Sequence, residues 1–201
     1  MGLDFRILVV ATWNSGKLHE FRSLLEPAGY EVAGLQDLSI DAEYEESGST
    51  FSENARLKAL AYSRCTNFPV LADDSGLEVA ALGGQPGIYS ARYAGPGASD
   101  SDRTRKLLEE LRRQGGSREA RFICALALAR EGSILLEVQG ECLGVIAEES
   151  RGAKGFGYDP VFLIPELGRT YAELDEAEKN QRSHRARAVH ALLSQLKQVR
   201  H

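Results

Sequence analysis

Apolar residues run without a break through Ile7-Leu8-Val9-Val10, and after the polar turn Thr12-Trp13-Asn14-Ser15-Gly16 they recur as Leu18, Phe21, Leu24 and Leu25. The first pattern predicts a buried strand within Phe5–Ala11 and the second an amphipathic helix. Pro27 and Gly29 close that helix, and residues 30–35 can form a second strand. Residues 37–48 carry five acidic side chains (Asp37, Asp41, Glu43, Glu45, Glu46) with little apolar periodicity, which predicts an exposed loop. Thr50 with Glu53 makes a capping-box pattern opening an Ala-rich helix to about Arg64. The apolar run Phe68 to Ala72 then delivers Asp73-Asp74-Ser75-Gly76, which reads as a strand ending in a glycine turn.

Downstream, GGQPGIYSARYAGPG (83–97) is dense in Gly and Pro but carries Ile88, Tyr89 and Tyr93, so a structured loop is expected. Ser99 or Asp100 can cap a helix through Leu107, Leu108 and Leu111 that ends at Gly115-Gly116. Residues 121–129 and 134–146 flank a turn at Arg130-Glu131-Gly132-Ser133 and predict a long antiparallel hairpin. Val161 to Ile164 is a further short strand, and a last helix carries Val189, Leu192, Leu193, Leu196 and Val199 on one stripe. Helices and strands interleaved with one hairpin predict an α/β domain with a mixed sheet. Its 201 residues fit one domain, or two lobes sharing a core.

A net charge of -5 argues against a broad nucleic-acid-binding surface, yet it allows local cations around a small anion. No apolar run approaches the roughly 20 residues of a membrane span, and Met1 to Arg6 lacks a signal-peptide pattern, so a cytoplasmic protein without membrane or nucleic-acid partners is expected. Met1-Gly2 suggests myristoylation, but Arg6 stands where Ser or Thr is wanted. Cys65, Cys124 and Cys142 are far apart and lack CxxC spacing, so buried thiols are expected rather than a disulfide framework or a zinc site.

Four segments bring chemistry to this frame. The turn Thr12-Trp13-Asn14-Ser15-Gly16-Lys17 sits between a strand and a helix, where first-turn amides and the helix dipole favour a phosphate and Lys17 adds a full charge. It is not a Walker loop, because Leu18 stands where Ser or Thr would ligate magnesium. Glu45 or Glu46 with Asp74 would suffice for magnesium, which takes one or two carboxylates and keeps several waters. Asp73 and Asp74 are neighbours on an extended backbone, so they should face opposite sides and have different jobs. In Gly155-Phe156-Gly157-Tyr158-Asp159-Pro160 the glycines leave the Phe156 ring open for a base to stack, and Asp159 supplies an acceptor. In Lys179-Asn180-Gln181-Arg182-Ser183-His184-Arg185 four potential cations lie at or just before the start of the last helix, where its dipole disfavours them. His184 and Arg185 can donate to a carbonyl oxygen, and Lys179 can neutralise a phosphate. A glycine-rich turn with core aromatics, a helix start with an exposed lysine and a solvated acidic loop are the plainer readings of these segments one at a time.

In this order, ATWNSGK, Glu45-Glu46-Ser47-Gly48, ENARLKA, LADDSGL, PGIYSARYAG, GFGYDP and KNQRSHR span nearly the whole chain and resemble the inosine triphosphate pyrophosphatase family. The resemblance implies a single pyrophosphatase domain over residues 1–201, with a curved mixed β-sheet flanked by helices and two lobes with a central nucleotide cleft. It implies Mg2+-dependent hydrolysis of ITP, dITP or XTP to the monophosphate and pyrophosphate, usually by a homodimer. The loop matching Thr12, Trp13, Asn14, Ser15, Gly16 and Lys17 then binds the triphosphate, Glu45 and Asp74 bind the metal, and Asp74 is also the general base. Ser75 contacts substrate; Phe156, Gly157, Tyr158, Asp159, Lys179, His184 and Arg185 take the remaining nucleotide-binding positions. Trp13 stands where the family commonly has glycine, so its side chain must point away from the phosphates or add a wall to the site. A phosphate-transferring kinase and a non-catalytic nucleotide sensor are the alternatives from other classes.

Overall fold

The computed structural model describes residues 5–42, 44 and 46–199. In chain order its elements are β1 (Ile7–Ala11), α1 (Ser15–Leu25), β2 (Glu31–Gly34), α2 (Phe51–Tyr62), β3 (Val70–Val79), α3 (Asp100–Gln114), β4 (Glu119–Arg130), β5 (Ser133–Ile146), β6 (Phe162–Ile164), β7 (Arg169–Thr170), α4 (Glu176–Arg182) and α5 (His184–Val199). The strands form one sheet in the order β2-β1-β3-β4-β5-β6-β7. It is mixed: β1 runs parallel to β2 and β3, whereas β6 is antiparallel to β5 and β7. Two residues, Glu131 and Gly132, link β4 to β5 with φ of 52° and 74°, the backbone that a tight hairpin turn requires.

Contacts divide the chain into two units. The first comprises the chain up to Asp74, Cys124–Gly140 and the chain from His184; the second comprises Ser75–Ile123 and Glu141–Ser183. In the first, Leu8 and Val10 of β1 and Leu71 of β3 pack with Phe21 and Leu25 of α1 and Val189, Leu192 and Leu196 of α5. Gly140 seats α5: a Cβ there would lie 2.3 Å from both His184 O and Ala188 N, so only hydrogen fits between strand and helix. The second unit gathers Leu77, Val79, Leu107, Leu111, Val161 and Leu174 around Phe122, Phe162 and Tyr171, with the Phe122 and Tyr171 rings stacked. Among the described residues no helix is long and apolar enough to cross a membrane.

Several expectations need correction. The Asp-Asp segment is not a turn, since β3 continues through Asp73, Asp74, Ser75 and Gly76 to Val79. Gly76 is not among the positive-φ glycines, and the partners of the carboxylates, not a turn, make their place in a strand tolerable. Thr50 caps α2 through Glu53 N, but the Glu53 carboxylate takes the Ser49 N–H and hydroxyl, so the reciprocal capping box does not form. Lys179 and Arg182 lie just before the last helix as expected, but in the last turn of a separate α4, whose dipole favours rather than disfavours their charge. Tyr93 folds into the core of the second unit, while Tyr89 stays exposed. Cys124 and Cys142 are buried as expected, but Cys65, just beyond α2, is exposed.

Candidate active site

The phosphate-loop candidate is organised by its own side chains. The Thr12 hydroxyl accepts from Asn14 N at 3.2 Å, and Asn14, the N-cap of α1, accepts from Lys17 N at 3.0 Å. Asn14 thus satisfies one first-turn donor, and the Ser15 and Gly16 amides have no intrahelical acceptor by helix geometry. The parallel pairing of Ala11 with Ala72 sets this loop beside the next residue of β3, and Lys17 Nζ lies 3.0 Å from Asp73 Oδ2. Trp13 turns its indole N–H to the Tyr62 hydroxyl at 3.3 Å, and Tyr62 donates onward to Ala42 O. Its side chain therefore walls the loop on the α2 side.

The two aspartates have different surroundings, as the alternation of a strand requires. Asp73 is buried with Lys17 on one oxygen and the Arg185 guanidinium 3.8 Å away. Burial alone would raise its carboxyl, but Lys17, Arg185 and Lys58 outweigh burial and hold it well below the usual range. Arg185, also buried, makes an ion pair with Glu20 of α1, so α1, β3 and α5 share one internal charge network. Asp74 meets no such excess of cations. Burial, reinforced by the Glu46 carboxylate, pushes it up to about 6 against the opposing pull of Lys17, Asn54 and Lys58.

Asn54 and Lys58, one turn apart on α2, complete this cluster. The Asn54 amide donates to Asp74 Oδ2 at 2.9 Å and accepts from Gly48 N at 2.7 Å. Lys58 Nζ reaches Glu46 Oε1 at 2.5 Å and Asp73 O at 3.1 Å. Burial would lower Lys58, but Asp73 and Glu46 raise it and keep it cationic. Asn54, Lys58 and Glu20 were not singled out from sequence. The signal available was the i, i+4 spacing of Asn54 and Lys58 within ENARLKA, which puts both on one helix face.

Asp74 retains its second oxygen beside that hydrogen bond, and one carboxylate oxygen with a neighbouring acidic loop fits the sparse protein ligation of magnesium. Glu46 is paired with Lys58, whereas Glu45, the other carboxylate expected to bind metal, lies outside the described residues. Among the described residues no three His, Cys, Asp or Glu side chains are grouped to hold a metal by themselves. His184 and Arg185 open α5 and are buried.

The remaining candidates belong to the second unit, beginning with the half-buried Ser75. Phe156 is also half-buried, with Lys179 Nζ 5.1 Å from its ring centroid. Asp159 accepts from Phe156 N at 2.9 Å and from Lys179 Nζ at 2.6 Å, which makes it the internal anchor of this loop. A Cβ on Gly155 would lie 2.0 Å from the Asp159 carboxylate, and the positive φ of Gly155 also requires glycine. Gly157 N donates to Asp100 Oδ2. Tyr158 is a core residue: its ring is buried and its hydroxyl donates to Ser90 O.

The sequence profile of the Ham1 family matches residues 8–195. A dITP/XTP pyrophosphatase of Gloeobacter violaceus is 54% identical over 189 residues, covering 94% of this chain and 93% of its own. One from Bacillus subtilis is 48% identical over 92% of this chain and 93% of its own. A solved HAM1 protein from Coxiella burnetii superposes with a TM-score of 0.87 at 43% identity, over 96% of this chain and all of its own. With the profile, the close relatives and the superposed fold all spanning nearly its full length, the chain belongs to the Ham1 family.

Proposed function

We propose that this protein hydrolyses nonstandard purine nucleoside triphosphates (ITP, dITP, XTP) to the monophosphate and pyrophosphate with magnesium, clearing them from the cytoplasmic nucleotide pool. The observation that carries the reading is the division of labour at Asp73 and Asp74. One carboxylate is neutralised by Lys17 and Arg185, while its neighbour is held by Asn54 and poised near 6. That is the pairing of an anchored phosphate-binding lysine with a base suited to neutral pH.

In this mechanism the first-turn amides of α1 and Lys17 hold the distal phosphates as a leaving pyrophosphate, and Lys58 adds a second half-buried cation to the cluster. Asp74, once ionised, accepts a proton from the water that attacks the α-phosphorus. Asp74 and Glu45 would hold magnesium, which would supply charge neutralisation of the triphosphate and polarisation of its oxygens. His184 and Arg185 are assigned to the 6-oxo group of hypoxanthine or xanthine, whose acceptor matches their donors where the amino group of adenine does not. Phe156 offers the purine a ring face, and Lys179 and the Phe156–Asp159 loop complete nucleotide binding. Ser75 is assigned a substrate contact. Tyr158 is assigned to support that loop from the core.

The relatives' names support the substrate class, since they are dITP/XTP pyrophosphatases. The test is chromatography of products after incubation with ITP, dITP, XTP, GTP and ATP in magnesium. Monophosphate and pyrophosphate from the first three are expected. A diphosphate with a phosphorylated acceptor would make the protein a kinase, and unchanged nucleotide would make it a sensor.

A further inference from the structure

Asn54 is a polar side chain with no exposed surface in the first turn of α2. Its amide group bridges two segments through different atoms: Nδ2 to Asp74 Oδ2 and Oδ1 from Gly48 N. The contact leaves no room for a side chain at Gly48, because a Cβ there would lie 2.6 Å from Asn54 Oδ1. One turn later Lys58 repeats the grip, reaching Glu46 from one side and the Asp73 carbonyl from the other.

We propose that Asn54 is the positioning residue of the reaction centre: it fixes the orientation of the Asp74 carboxylate and locks the 46–49 segment to it. Committing Oδ2 to Asn54 leaves Oδ1 as the oxygen that would meet metal and water. A carboxylate without that partner would rotate about its Cβ–Cγ bond, and small misplacements of a reacting group carry large rate penalties. The inference rests on the role given to Asp74 above.

Two substitutions separate the halves of the bridge. Asn54→Asp keeps the shape and the acceptor for Gly48 N–H but replaces the donor to Asp74 with an acceptor; Asn54→Ala removes both. Steady-state kinetics with ITP, Mn2+ titration without nucleotide and thermal melts are measured for both and for Asp74→Asn. Both Asn54 variants are expected to lower kcat roughly 10- to 100-fold with KM within about threefold, and Asn54→Ala to weaken Mn2+ binding about tenfold. Gly48→Ala, which pushes on the Asn54 oxygen, should lower kcat alone but add less than about twofold in the Asn54→Ala background, where that oxygen is gone.

An Asn54→Asp enzyme with kcat within threefold of the parent beside an inactive Asp74→Asn overturns this inference and leaves the assignment of Asp74 standing. An active Asp74→Asn overturns that assignment instead. Raised KM at unchanged kcat, or parent-like Mn2+ affinity in Asn54→Ala, also overturns the positioning role. Should the Asn54 variants fail to fold, an unchanged kcat in Gly48→Ala overturns it.

Discussion

Lys17 Nζ and Asp73 Oδ2 lie 3.0 Å apart, joining the first turn of α1 to β3 through a carboxylate that is almost wholly buried. Because Asp73 is held below the usual carboxylate range, its contribution to stability is present above the unfolded value of 3.8 and is lost as pH falls below it. Asp73→Asn leaves Lys17 and Arg185 without that charge. Urea unfolding at pH 7 should show a loss of about 3–5 kcal/mol, shrinking as the pH is lowered through 4. A loss under about 1 kcal/mol would mean that the network does not depend on Asp73.

Asp74 has the opposite sign. Its folded value near 6 lies above the unfolded 3.8, so its contribution favours the fold below about pH 4 and is lost as pH rises through 6. Asp74→Asn should therefore melt at or above the parent temperature at pH 8, with the gap closing by pH 4, while turnover is abolished. Melting well below the parent at pH 8 would contradict the cost of charging this buried group.

Glu46 is the main charge raising Asp74 after burial itself. In metal-free protein, Glu46→Gln should lower the Asp74 titration midpoint below about 6, as read by carboxyl-carbon NMR. A midpoint unchanged or raised would show that the Lys58 pairing already screens Glu46 from Asp74.

Phe156 is half-buried, and the proposed function has a purine stack on its ring. Base stacking is worth about 1–3 kcal/mol, so Phe156→Leu should raise KM for ITP on the order of tenfold or more with little change in kcat or melting temperature. A fall in kcat at constant KM would assign Phe156 to the chemistry instead.

A homodimer is expected, with the exposed Tyr89 in the interface. Light scattering at micromolar concentration should give twice the 22.0 kDa chain mass, and Tyr89→Glu should shift the population to monomer. A monomer across a hundredfold concentration range would remove the dimer without touching the catalytic reading.

Strand, loop and helix from Phe5 to Leu25, the hairpin and the α5 stripe were legible because apolar spacing and turn residues there act locally. The continuation of β3 was not. Asp-Asp-Ser-Gly has the composition of a turn, and partners remote in sequence, Lys17, Arg185, Lys58 and Asn54 among them, make those carboxylates tolerable inside a sheet. Strand β7 has two residues, too few for a period to register, and α4 hid within the same polar segment as the start of α5. In the site, Lys17 and the contrast between Asp73 and Asp74 could be read from local pattern. The partners of Arg185 could not, because Glu20 lies 165 residues away and looks like any surface glutamate of a helix.

Gly140 leaves α5 nowhere to go. With a strand backbone against the His184 carbonyl and the Ala188 amide, every single-base change that gives residue 140 a side chain must displace the first turn carrying His184 and Arg185. On the base-reading role proposed for His184 and Arg185, a change of selectivity at this helix start would come from exchanging those side chains while the helix stays where it is, which ties it to point replacement rather than to drift of the backbone.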